Sequence, residues 1–213
     1  SAGPFCFKGQ VVECVSSFRY VGVWFHSSCK TEDTWRDIVA AGKRAMYACM
    51  GRIARLGPIP PILKVRLFDA FVRSVLLYCA EALPSTRKHG ALLDGVQLQY
   101  TRWCLRLPKG SPRVDTLIEA GQLPLSSLAD AARVKFYVLT SRRADGHVSA
   151  DVLADLRQRA KPSWWLKAVS QTISRLDCDP ERFANLPDIS LRKHSSGRQA
   201  LADYVTMRHE RWW

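Results

Sequence analysis

Acidic residues are scarce in this chain: 19 Asp and Glu stand against 32 Lys and Arg among 213 residues, a formal charge of +13. Such an imbalance repels itself unless a polyanion is present, so a polyanionic partner is expected. No run of about 18 apolar residues occurs, which excludes a membrane-spanning helix, and no signal-peptide pattern opens the sequence. The seven cysteines (Cys6, Cys14, Cys29, Cys49, Cys79, Cys104 and Cys178) are scattered and odd in number. That argues against a disulfide framework and for a reducing compartment. A soluble, intracellular and nuclear location is expected. Zinc is not: His26-Ser27-Ser28-Cys29 offers one close pair, no second pair stands at knuckle or ribbon spacing, and Cys178, His194 and His209 are dispersed. No Gly-x-Ser-x-Gly elbow marks a nucleophile. There is no internal repeat and no low-complexity tract.

What is present is enough apolar residue, 47%, for one large domain or two small ones with a core that needs no metal or disulfide. The charge is unevenly spread. Residues 35–110 hold thirteen basic against four acidic residues, net +9, whereas 1–34 are neutral, 111–160 carry +1 and 161–213 carry +3. Clustering of this kind is the footprint of nucleic-acid binding.

Periodicity predicts a mainly α protein: a small antiparallel β element over 1–30, a basic helical bundle over 31–110 and a second helical layer over 111–213. Phe5-Cys6-Phe7-Lys8 and Val11-Val12-Glu13-Cys14-Val15 read as strands about a turn at Gly9-Gln10, and 18–25 as a third strand. From Thr31 the period becomes helical. Thr31 and Thr34 are expected as N-caps, and Trp35, Ile38, Val39, Gly42, Met46, Cys49, Ile53 and Leu56 share one face. Arg36, Lys43, Arg44, Arg52 and Arg55 fall off that stripe. Gly57-Pro58-Ile59-Pro60-Pro61 breaks the helix.

A second helix over 61–83, with Leu67, Phe71, Ser74 and Tyr78 beside Phe68, Val72, Val75 and Cys79, is expected to be central. A third, over 88–107, should face Leu92, Val96, Tyr100, Trp103 and Leu107 inward, completing a bundle. Further helices are predicted over 114–120, 126–143, 150–159, 164–176 and 191–211. Cys49, Cys79 and Cys104 read as small core residues. In the pairs Trp164-Trp165 and Trp212-Trp213, one indole of each should point outward.

The order of residues at the β-to-helix transition carries a resemblance. Phe18-Arg19-Tyr20-Val21-Gly22-Val23-Trp24-Phe25 is similar to the F-x-Y-L-G strand of reverse transcriptases of non-LTR, LINE-type retrotransposons. Leu67-Phe68-Asp69-Ala70-Phe71-Val72, Val75-Leu76-Leu77-Tyr78-Cys79-Ala80-Glu81, Leu93-Asp94-Gly95-Val96-Gln97 and Arg102-Trp103-Cys104-Leu105-Arg106-Leu107-Pro108-Lys109-Gly110 follow that family in order. The resemblance covers residues 5–145. Val21 stands where Leu is usual, and Cys79 where Gly is usual.

The resemblance implies that the strand at Phe18, Tyr20 and Gly22 is a primer grip and that the following helices form a thumb. The chain would then lie beside the palm and fingers of the same polypeptide. Polymerases of that family hold Mg²⁺ with carboxylates that include an adjacent Asp-Asp. This sequence has no such pair. Glu32-Asp33 and Asp177-Cys178-Asp179 suit helix-end and loop positions. No catalytic residue, metal or cofactor is therefore expected in this chain, which would bind without polymerising.

The residues expected to touch nucleic acid are Phe18, Tyr20 and Gly22 at the grip, Arg36, Lys43, Arg44, Arg52 and Arg55 on the first helix, and Lys109. The expected partners are RNA and RNA–DNA duplex, gripped through phosphates without base readout. A second reading is a domesticated helical module whose groove binds protein. A third is an excerpt of a multifunctional enzyme, favoured by strands that begin at Phe5 with open edges.

Overall fold

The computed structural model describes residues 6–28, 30–143, 146–159 and 163–176. The helix expected over 191–211, the Trp212-Trp213 pair, Cys29, Cys178, His194 and His209 lie outside them. The described chain is mainly helical, preceded by two small antiparallel sheets of two strands each.

The first sheet pairs β1 (Cys6–Phe7) with β2 (Gln10–Val11) about a turn at Lys8-Gly9. The second pairs β3 (Ser17–Tyr20) with β4 (Val23–His26). The single strand expected over 18–25 is thus a hairpin. Its two turn residues, Val21 and Gly22, both have positive φ, 47° and 86°, the left-handed pair that closes a two-residue hairpin. Gly22 suits that backbone, but a β-branched residue beside it reads as strand, which hid the turn.

α1 (Thr31–Arg55) buries Trp35, Ile38, Val39, Gly42, Met46, Cys49 and Ile53, as the spacing predicts. Neither expected cap acts as one. The helix begins after Lys30 without a side-chain cap, and the Thr34 hydroxyl donates to the Trp24 carbonyl at 3.0 Å. Leu56, expected on the buried stripe, is exposed because the helix ends at Arg55 and the chain turns away at Gly57, φ 81°.

The 61–83 segment is not one helix. α2 (Pro61–Phe68) passes through a π-helical turn, Asp69–Arg73, into α3 (Ser74–Leu76), followed by turns. The buried line runs Phe68, Val72, Leu76 and Ala80, all 0% exposed. A spacing of four drifts by about 40° per step on an ideal helix, and the wider π turn absorbs part of that drift. Phe71, Ser74 and Tyr78, expected inside, consequently face solvent.

The centre belongs to the next helix instead. α4 (Arg87–Leu105) packs against α1, α2, α5 (Arg113–Glu119) and α6 (Leu125–Ser141). It buries Leu93, Val96, Gln97, Tyr100 and Cys104, while Leu92 and Leu107, expected inward, are exposed. Arg106 takes the left-handed conformation, φ 55°, and ends the helix before Leu107.

α1 and α4 run parallel. Trp35 stacks on His89 near their starts, 5.7 Å between centroids, and Cys49 meets the Tyr100 hydroxyl further along, 3.6 Å. Burial pushes the Cys104 thiol up to about 12, so Cys104 is a protonated core residue at neutral pH.

One hydrophobic cluster joins α1, the 61–80 segment, α4 and α6. α6 is tied to α4 by two buried side chains. Asp94 accepts from the Ser126 backbone N–H at 2.8 Å, and Gln97 accepts from the Leu125 N–H at 3.0 Å while donating to the Leu123 carbonyl at 2.8 Å. These side chains satisfy backbone groups at the start of α6 that the helix cannot.

α7 (Val148–Gln158) and α8 (Trp164–Leu176) pack on α6 and complete the outer layer. In α8, Trp164 is exposed while the Trp165 indole donates to the Glu81 carbonyl at 2.8 Å. The first tryptophan pair therefore divides as its adjacency suggests.

Candidate nucleic-acid interface

The β3–β4 hairpin stands on the N-terminal half of α1. His26 Nε2 lies 2.9 Å from Asp37 Oδ2, Thr34 holds the Trp24 carbonyl, and Val23 is the buried member among the hairpin's apolar side chains. The hairpin turn is held from the other side by the Tyr78 hydroxyl, which donates to the Val21 carbonyl.

This anchoring leaves an aromatic surface open. Register puts Phe18 opposite Phe25 and Tyr20 opposite Val23, so Phe18, Tyr20 and Phe25 share a face of the hairpin. Phe18 and Tyr20 are 56% and 61% exposed, with ring centroids 6.3 Å apart and planes 26° from parallel. Exposed rings so arranged offer faces on which bases or sugars can stack. Gly22 does allow a close approach, but to a group of the same chain: a Cβ there would sit 3.3 Å from Tyr78 Cε1.

Beyond the hairpin, α1 carries cations. Asp37, Arg44 and Arg55 recur after about two and then about three helical turns, so they fall on one line along the helix. Lys43 and Arg52 flank that line at roughly 80–100° around the axis. All four cations are exposed, and none has an acidic partner among the described residues.

The sequence supplies the reason: no Asp or Glu occurs between Asp37 and Asp69. Several basic side chains outside this stretch are matched, as in Arg73 with Asp69 at 3.3 Å and Lys88 with Glu32 at 2.5 Å. Arg36 belongs with these, since it pairs with Asp33 at 3.1 Å.

Of the nine residues expected to bind, the fold brings Arg44 and Arg55 into line with the hairpin, with Lys43 and Arg52 alongside. Phe18 and Tyr20 are exposed on the hairpin that the His26–Asp37 contact seats against the start of that line. Gly22 serves the turn, Arg36 is neutralised, and Lys109 is exposed on a separate element, the turn after α4.

Sequence reasoning missed Tyr47, an exposed ring on the basic side of α1 whose hydroxyl accepts from Gln99 Nε2 at 2.9 Å. Its helical spacing from Lys43 and Arg44 was the available signal. Tyr78 was missed because the residue it anchors, Val21, is remote in sequence.

No group of three or more His, Cys, Asp or Glu among the described residues is arranged to hold a metal ion. Comparison of the chain with protein-family models, curated proteins and solved structures returns no match.

Proposed function

We propose that this chain binds nucleic-acid duplex through its phosphates, as the thumb-like region of a reverse transcriptase of the non-LTR retrotransposon type, and does not itself catalyse polymerisation. The observation that carries the reading is the row of unmatched cations on α1, headed by exposed aromatic rings on the hairpin seated against the same helix. Unpaired guanidinium and ammonium groups along a helix neutralise phosphates and release counterions, giving affinity without base readout. A grip that must slide by one nucleotide per cycle needs that kind of contact. RNA and RNA–DNA hybrid are the proposed ligands, with the palm and fingers of the same polypeptide as the protein partner.

The test is binding of labelled RNA–DNA hybrid at a series of salt concentrations by the intact chain and by a Lys43/Arg44/Arg52/Arg55→Ala variant. Affinity should fall steeply with salt for the native chain, and the four substitutions should reduce the log–log slope by about 2 to 4. Binding that ignores both salt and substitution would sink the proposal.

The protein-interaction reading draws on a different observation. Ile62, Leu63 and Phe71 are exposed apolar side chains on the 61–76 segment, and contact through them would be insensitive to salt.

A further inference from the structure

Away from α1, a cleft of about 360 Å³ opens between α4, α5, α6 and α8, a size ordinary for a small-ligand site. We infer that it is a binding site for a phosphate group. The inference is independent of the duplex-binding reading and uses none of its residues.

The walls are made by three arginines from three helices: Arg87 at the start of α4, Arg113 at the start of α5 and Arg175 near the end of α8. Two carboxylates also face the cleft, and both are already satisfied by protein donors. Asp94, 2% exposed, accepts from Arg113 through Oδ2, from the Ser126 hydroxyl at 2.7 Å and from the Ser126 N–H at 2.8 Å. Asp130, 8% exposed, accepts from Arg133 at 3.0 Å on one oxygen and from Arg175 on the other.

A cation would have to displace those donors, so the acids do not make a cation site. What the cleft has in excess is donors. A guanidinium carries five N–H groups. Arg113 and Arg175 each commit one nitrogen to an aspartate, and Arg87 has no ion pair among the described residues. The exposed amide of Gln171 lines the same wall. The first turn of α4 adds the positive end of a helix dipole.

The ligand must therefore be an anion rich in acceptors. A carboxylate offers two oxygens, whereas a phosphate monoester offers three unesterified ones, more acceptors for the arginines that line the cleft from three helices. The floor is apolar, formed by Leu93 and Ala129, which leaves room for the group that bears the phosphate.

The experiment is calorimetric titration of the full chain with inorganic phosphate, comparing the native protein, Arg87→Gln, Gln171→Glu and the α1 Lys43/Arg44/Arg52/Arg55→Ala variant. Arg87 and Gln171 lie on the surface, so both changes leave the fold intact, and circular dichroism checks this. Arg87→Gln should weaken phosphate roughly tenfold or more, as expected for loss of a charge-assisted contact. Gln171→Glu should weaken it at least as much by placing a negative charge at the wall, while the α1 variant binds as the native chain does.

No heat of binding up to about 10 mM phosphate overturns the site. So does binding that survives both cleft substitutions or disappears in the α1 variant. A second arm assigns the source of the phosphate by comparing a nucleoside 5′-monophosphate with oligonucleotides bearing a 5′-phosphate or a 5′-hydroxyl. Preference for the phosphorylated oligonucleotide end, lost in Arg87→Gln, assigns a strand terminus. Equal binding of both oligonucleotides alongside Arg87-dependent binding of the monophosphate assigns a free small molecule.

Discussion

The Tyr78 hydroxyl donates a 2.5 Å hydrogen bond to the carbonyl of Val21. It joins the turn of an N-terminal hairpin to the bend after α3, across a sequence separation of 57. The aromatic hairpin is therefore held at both ends, by Asp37 on α1 and by Tyr78, and its position relative to the α1 cations depends on both contacts.

Removing that hydroxyl should loosen the hairpin more than the protein. Tyr78→Phe deletes one partly exposed hydrogen bond, about 0.5–1.5 kcal/mol. Amide exchange at Tyr20 and Val23 should accelerate, while exchange in α4 stays within a factor of two. Uniform acceleration across both elements would show that the bond supports the whole fold and not the hairpin alone.

Gly42 lets α1 approach α3: a Cβ there would lie 2.1 Å from Leu76 Cδ2 and 2.6 Å from its Cγ. Leu76 is fully buried and has little room to yield. Gly42→Ala should destabilise by about 1–3 kcal/mol from overpacking, offset by up to about 1 kcal/mol of helix propensity. Thermal unfolding should show a net fall in Tm, and the double variant Gly42→Ala/Leu76→Ala should lose less than the sum of the two single variants. A Tm unchanged or raised in the single variant contradicts the close approach.

Cys79 adopts φ 56°, in the left-handed region where side chains are strained. The Ala82 and Leu83 N–H groups both donate to its carbonyl, fixing the bend. Cys79→Gly should stabilise the chain by roughly 0.5–1 kcal/mol, since glycine takes this backbone freely. Chemical denaturation of the two proteins decides the sign; destabilisation would mean that the half-buried thiol contributes more by packing than the backbone loses.

Acid should weaken the fold in two stages. Burial beside Trp35 holds His89 below its ordinary value of 6.5, against the opposing pull of Glu32. Its folded form prefers to be neutral, so the stability it contributes is present above pH 6.5 and is lost as pH falls below that. Glu32, held below 4.5 by its hydrogen bond with Lys88, acts with the same sign at lower pH. His89→Gln keeps an acceptor for the Thr86 N–H, which His89 Nδ1 receives at 3.2 Å. Urea unfolding at pH 7.5 and 5.5 should therefore show a smaller loss of stability for His89→Gln than for the native chain; equal losses would assign the effect elsewhere.

Much of this architecture was legible in the sequence because its cause is local. The helical stripe from Trp35 to Ile53, the break at the prolines and the order of short strands before helices all follow from periodicity and backbone restriction. So does the clustering of positive charge, which follows from an acid-free stretch. The expected inward faces failed where a distant partner overrode the local period. The π turn at Asp69–Arg73 and the left-handed residues Val21, Cys79 and Arg106 shifted which side chains became buried.

The sequence by itself determined that the chain would be helical after a small β element and that its cations would gather between residues 35 and 110, since both depend on neighbours along the chain. Only the tertiary structure decided that α1 and α4 run parallel and that Asp94 and Gln97 secure the start of α6. It also decided that Arg36 is neutralised while Arg44 and Arg55 are not. Those outcomes depend on which groups meet across tens of residues, where burial and hydrogen-bond satisfaction outweigh local preference.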